Sequence, residues 1–168
     1  MTHMPIAMDN HWLPFTNNRL FHQEPQIFAR AKGVRYWTPE EQEILDGSSG
    51  LFCSAAGHGR PEIADAVHKQ LMELDYTPHF QRAAPVSFEL ARRLAEILPD
   101  GIDRLFFGSS GSEAVDSAMK ICLAYHRARG EAQRTRFVSR AWGYHGVNLG
   151  GTSLAGMVGN RRDFSGVT

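Results

Sequence analysis

The chain has 168 residues, 42% of them hydrophobic, which is enough for one domain with an appendage and a real buried core. Eighteen basic residues balance eighteen acidic ones, so composition points away from nucleic acid and from anionic membrane. There is no signal-peptide pattern at the N-terminus and no apolar run near the ~20 residues of a membrane span, and Cys53 and Cys122 form no CxxC pair; a cytoplasmic protein with two small core thiols is expected.

Residues 1–25 read as a weakly patterned arm, dense in aromatics (Trp12, Phe15, Phe21) that should lie on this subunit or on a partner. Three β-prone pieces follow, Ile27-Phe28-Ala29, Val34-Arg35-Tyr36-Trp37 and Glu43-Ile44-Leu45. Turn signals at Lys32-Gly33 and Thr38-Pro39-Glu40 separate them, so a three-stranded meander is predicted. The stretch from Ser48 to His58 is poor in charge and rich in small residues, as in a loop passing a ligand or an interface. His58 with Cys53 or His68 matches no zinc spacing, and no metal is expected. Pro61 then opens a helix with Ile63, Val67, Leu71 and Leu74 on one stripe. A second helix runs from about Pro85 to Leu98, with Arg92 and Arg93 on its solvated face, until Pro99-Asp100-Gly101 stops it.

Next comes the stretch around which the chain is organised. Arg104-Leu105-Phe106-Phe107 reads as a buried strand, and Val115, Ala118, Met119 and Cys122 trace the stripe of a helix running to about Arg129. Between them, Ser110 and Glu113 stand three apart as a capping box, so the helix begins inside a Gly/Ser loop. Its free first-turn amides and the positive end of its dipole suit a phosphate, with Gly111 permitting close approach and Ser110 and Ser112 adding hydroxyls. A capped helix start without ligand fits the same residues. Neither the Walker pattern nor G-x-G-x-x-G is present, which leaves a phosphorylated cofactor other than a nucleotide. A second strand at Phe137-Val138-Ser139 would complete a parallel strand–helix–strand unit, and the glycine-rich region from Gly150 to Gly159 reads as loose, mobile or ligand-gated.

The run from Phe107 to Lys120, with Ser110-Gly111-Ser112-Glu113-Ala114 inside it, resembles the cofactor-phosphate loop of the class III aminotransferases, fold-type I enzymes that use pyridoxal 5'-phosphate. Gly143-Tyr144-His145-Gly146 is similar to that family's aromatic-His-Gly turn, and Leu45-Asp46, Ser49-Gly50-Leu51 and Gly57-His58-Gly59-Arg60-Pro61 to its opening segment. His11-Trp12-Leu13-Pro14-Phe15 and Asp75-Tyr76-Thr77-Pro78 look most like the branch that transaminates omega-amino acids or amines with pyruvate.

The resemblance implies an α/β fold, the N-terminal part of a fold-type I transferase: residues 1–75 as arm and small-domain segment with the β-meander, and residues 76–168 as the start of a parallel-sheet large domain. It assigns Ser110, Gly111, Ser112, Tyr144 and His145 to the cofactor, with Tyr144 stacked on the pyridine ring, and Phe15, Phe52 and Phe80 to the substrate pocket. It further implies an amine or amino-acid donor, a keto-acid acceptor and a homodimer in the full-length form. The family also needs a lysine to hold the cofactor as a Schiff base and shuttle its proton. Lys32, Lys69 and Lys120 are the lysines of this sequence, and none stands in that lysine's context. The expectation is therefore an N-terminal portion that is inactive by itself, with no catalytic residue; a non-catalytic domain for a phosphorylated metabolite, or a truncated fragment without function, stay open.

Overall fold

The computed structural model describes residues 7–164, which divide into two compact units on either side of the Ala83–Ala84 bond. The first unit carries a helix that the weak patterning of the arm concealed, α1 (Asn18–Gln23). Its start is local chemistry: the Asn17 side chain accepts from the Leu20 amide, and the Asn18 side chain accepts from the Leu13 amide at 2.9 Å.

The meander forms as expected, with β1 (Arg30–Lys32), β2 (Arg35–Trp37) and β3 (Glu43–Leu45) antiparallel in that order. Gly33, at φ +59°, takes the first position of a two-residue connection and sets the register Lys32↔Arg35 and Arg30↔Trp37. The first strand therefore begins at Arg30 rather than Ile27, with the Ala29 amide adding one more bond to the Trp37 carbonyl. Cross-strand pairs hold the sheet: the Arg30 guanidinium lies 3.9 Å above the Trp37 ring, and Phe28 stacks on Tyr36 at 4.5 Å. Pro61 opens α2 (Pro61–Glu73) as predicted, but Ile63, Val67 and Leu71 each stay about half exposed.

The second unit contains α3 (Pro85–Ala95), α4 (Gly111–Ala128), α5 (Leu149–Leu154) and α6 (Val158–Arg162). In α3, Glu89 bridges Arg92 and Arg93, which confirms a solvated ionic face; the helix ends three residues earlier than predicted, leaving Ile97 outside it and exposed. The strands expected at residues 104–107 and 137–139 do not form, and no parallel unit is present among the described residues. A strand exists only through a ladder, and neither segment has a backbone partner: Phe106 is 65% and Val138 95% exposed.

The expected core is likewise not closed. Among the described residues only Ala84 and Ala155 are buried hydrophobics, and Cys53 and Cys122, expected inside, are exposed. An amphipathic helix buries its stripe only against a second layer, and within this unit α4 has mainly α5 beside it. The tightest packing is where the sequence suggested slack. Gly151 and Thr152 of α5 are buried, because glycine lets the backbones meet: a Cβ at Gly151 would stand 2.2 Å from the His145 carbonyl oxygen, and one at Gly156 2.1 Å from that of Ala141. No helix among the described residues is long and apolar enough to cross a membrane.

Candidate functional site

The candidate site is the start of α4. Ser110 is extended (φ −156°, ψ 161°), and its Oγ accepts from the Glu113 amide at 3.1 Å, the cap that the sequence predicts. The reciprocal half of the box differs. Glu113 turns to Ser109 instead of Ser110, accepting from its amide at 2.8 Å and its hydroxyl at 2.6 Å; the Ser109 hydroxyl, then its amide, hold the Glu113 carboxyl below its usual range. Glu113 thus ties down the loop before the cap. The Gly111 and Ser112 amides have no partner among the described residues, and a Cβ at Gly111 would meet nothing within 4 Å. The positive end of an 18-residue helix thus carries two free N–H groups, with room beside the Gly111 Cα.

The aromatic turn is packed on this helix start. Gly146, at φ +97°, runs so close that a side chain there would lie 2.7 Å from the Ser112 Cα, and the Val147 amide donates to the Ser112 Oγ at 2.9 Å. The structure therefore brings Ser110, Gly111 and Ser112 together with the turn that carries Tyr144 and His145. The Ser112 oxygen accepts within the protein and donates to no atom of the described residues, as does that of Ser110. Tyr144 is 58% exposed, and the His145 Nε2 is buried without a hydrogen-bond partner. Sequence reading missed Asp116, whose Oδ1 accepts from the Gly151 amide at 3.0 Å; the adjacent glycines Gly150-Gly151 were the available signal of a close approach.

Phe15, Phe52 and Phe80 belong to the first unit, are each more than 80% exposed, and share no ring contact with one another. Phe52 sits on a loop held by a buried carboxylate. Asp46 accepts from the Ser48 amide (3.0 Å), the Ser48 hydroxyl (3.1 Å) and the Gly50 amide (2.8 Å), and pairs with the His58 Nε2 at 2.7 Å. The loop then continues through Ser49, Leu51 and Phe52, all with positive φ, a conformation that side-chain-bearing residues keep only when their surroundings hold it. The His58 hydrogen bond, assisted by Ser48 and Gly50, outweighs desolvation and holds the Asp46 carboxyl at about 2. Tyr36 beside it is pushed up, first by its own burial and then by the Asp46 charge.

A depressed carboxyl stabilises the folded state above its unfolded value, ~3.9, and that contribution is lost as pH falls through about 2. Acid titration of the first unit, followed by Trp37 fluorescence, is expected to show a loss of stability between those two values that Asp46→Asn abolishes. An equally steep acid response in Asp46→Asn would assign it to other groups.

Comparison with known proteins gives a consistent result. Residues 18–167 match the family model for Aminotransferase class-III. An omega-aminotransferase of Caulobacter vibrioides is 52% identical over 157 residues, covering 94% of this chain and 36% of that protein. An omega-amino acid–pyruvate aminotransferase of Pseudomonas putida is 43% identical over 159 residues, covering 95% and 35%. Among solved structures, an (S)-enantioselective omega-transaminase of Thermomicrobium roseum superposes with a TM-score of 0.90 at 35% identity, covering 94% of this chain and 36% of that one. The omega transaminase of Pseudomonas jessenii in complex with PMP gives 0.89 at 31% identity, covering 94% and 35%. The chain spans about a third of the length of the relatives it matches.

Proposed function

Because this chain belongs to the class-III aminotransferases, whose cofactor is pyridoxal phosphate, we propose that it forms the phosphate-binding and ring-stacking side of a transaminase that moves an amino group from an omega-amino acid or amine to a keto acid such as pyruvate. The observation that carries the reading is the pair of unpartnered amides at Gly111 and Ser112, with open space beside Gly111 and a latch through Ser112 to the Tyr144 turn.

The donor set fits a phosphorylated aromatic. The two amides and the Ser110 and Ser112 hydroxyl protons bind the phosphate, and the helix dipole adds to their pull. Tyr144 offers its face to the pyridine ring and fixes the ring plane, and the buried, unpartnered Nε2 of His145 lies in the same turn. The cofactor, when bound, supplies the electron sink for moving the amino group; the protein supplies position and exclusion of water. In this reading Phe15, Phe52 and Phe80 are apolar walls for the donor, and the lysine that this chemistry requires comes from outside these 168 residues. A homodimer in the cytoplasm completes it, supported by the half-exposed apolar stripe of α2 and the exposed thiols of Cys53 and Cys122.

Gly111→Leu tests the assignment. Its side chain meets no protein atom as far as the Cβ and leaves the cap intact, yet it fills the open space beside Gly111 that the phosphate would need. Hydrogen bonds to charged groups contribute ~1.5–3 kcal/mol each, so losing one to two of them should weaken binding of pyridoxal phosphate at least about tenfold at unchanged thermal stability. Parent-like affinity would remove the phosphate assignment.

A further inference from the structure

Resting on the stacking role of Tyr144 proposed above, we infer that Asp116 is a positioning residue for the cofactor ring: from inside α4 it fixes the turn that presents Tyr144. Ser112 and Asp116 are four residues apart and so share one face of α4, and each accepts from a backbone amide 35 residues away, Ser112 from Val147 at 2.9 Å and Asp116 from Gly151 at 3.0 Å. The attachment at Gly151 transmits directly to the turn. Gly151 is buried, and the room for its missing side chain is taken by the His145 carbonyl, 2.2 Å from the Cβ position. Gly150 is pressed on the same carboxylate, its Cβ position 2.7 Å from the Asp116 Oδ1. On the other side of Tyr144, the Gly156 amide donates to the Gly143 carbonyl at 2.9 Å.

Tyr144 is thus flanked by backbone points that are fixed through α4, α5 or the residues just after α5, while its own ring is largely exposed and has no ring partner among the described residues. A ring with so little packing of its own takes its plane from the backbone that bears it. Asp116 is the attachment that can be altered without touching the cofactor, because it lies in the second turn of α4, behind the free amides. A carboxylate accepting from a backbone N–H makes a stronger, shorter bond than a neutral acceptor. The Asn amide oxygen keeps the geometry.

The test uses the holoenzyme with Asp116→Ala, Asp116→Asn, Tyr144→Ala and the Asp116→Ala/Tyr144→Ala double variant. The affinity for pyridoxal phosphate, its induced circular dichroism and the affinity for inorganic phosphate are measured. Asp116→Ala is expected to weaken the cofactor about five- to tenfold, within the range of one aromatic pairing plus lost burial, and to diminish the dichroism while inorganic phosphate binds as in the parent. Asp116→Asn should restore most of both, and the alanine should cost nothing further once Tyr144 is gone. If Asp116→Ala does not fold, Asp116→Glu, which displaces the carboxylate by one methylene, carries the same comparison. Equal losses with and without Tyr144, or a parallel loss of inorganic phosphate, would reduce Asp116 to a general structural residue and overturn the inference alone. Unchanged affinity and dichroism in Tyr144→Ala would overturn the stacking assignment, and the inference with it.

Discussion

Gly156→Ala and Gly151→Ala are each expected to lift α5 off the turn beneath it, the largest stability effect of any alanine substitution at a glycine of the second unit. A Cβ at Gly156 would lie 2.1 Å from the Ala141 oxygen and 2.2 Å from its carbonyl carbon, and one at Gly151 2.2 Å from the His145 oxygen. These obstacles are backbone and cannot rotate away. Neither glycine lies in the left-handed region, so the cost is contact and not dihedral strain. Overpacking costs ~1–3 kcal/mol, and collision with main chain belongs at the upper end, about 3 kcal/mol. At ~1.4 kcal/mol per factor of ten, local opening rises by roughly two orders of magnitude.

Hydrogen exchange reads this directly. The Thr152 amide donates to the Asn148 carbonyl at 2.8 Å and the Gly156 amide to that of Gly143 at 2.9 Å, and both should lose protection. Gly47→Ala is the matched control, since a Cβ there meets nothing within 4 Å and the backbone accepts it. Parent-like exchange in Gly156→Ala would show that α5 rests on the turn loosely. Because the same contact carries the His145 backbone, the variants should also weaken cofactor binding.

Local signals are legible in the residues, and non-local ones are not. The Ser110 cap, the extent of α4, Pro61 and Pro85 at helix starts and the Gly33 turn all depend on neighbours within four residues, and the structure has them. The glycines near residue 150 pack tightly although their sequence suggests slack, because composition does not distinguish a glycine that loosens a chain from one that admits another backbone; only the fold places Ala141 and His145 against them. Likewise Ser112 reads as a phosphate ligand by its position in a loop, while its bond to Val147 spans 35 residues and leaves no periodic trace. The strands expected at residues 104–107 and 137–139 have the right residues, but a ladder is a property of pairs. The helix start and the aromatic turn of the candidate site are each local motifs. What the fold adds is the latch between them.

Reduction of this 168-residue chain with borohydride in the presence of pyridoxal phosphate is expected to label no single lysine stoichiometrically. Capture of the cofactor aldehyde needs an uncharged amine held beside the aldehyde, and proteins obtain one by burying a lysine or crowding it with another cation. Lys32, Lys69 and Lys120 are all exposed. Lys120 is the only one in the unit that carries the proposed phosphate site, and it lies nine residues beyond Gly111 along α4; at 1.5 Å per residue that is ~13 Å from the free amides, on a helix that cannot bend it back. In the proposed site the cofactor is held by its phosphate and ring while its aldehyde finds no partner from this chain. Peptide mapping by mass spectrometry should return sub-stoichiometric, scattered labelling that does not fall in Gly111→Leu, and no amine-dependent turnover with pyruvate. A single lysine labelled to completion, with turnover, would mean that one of the three reaches the ring and that the phosphate is bound somewhere other than the start of α4.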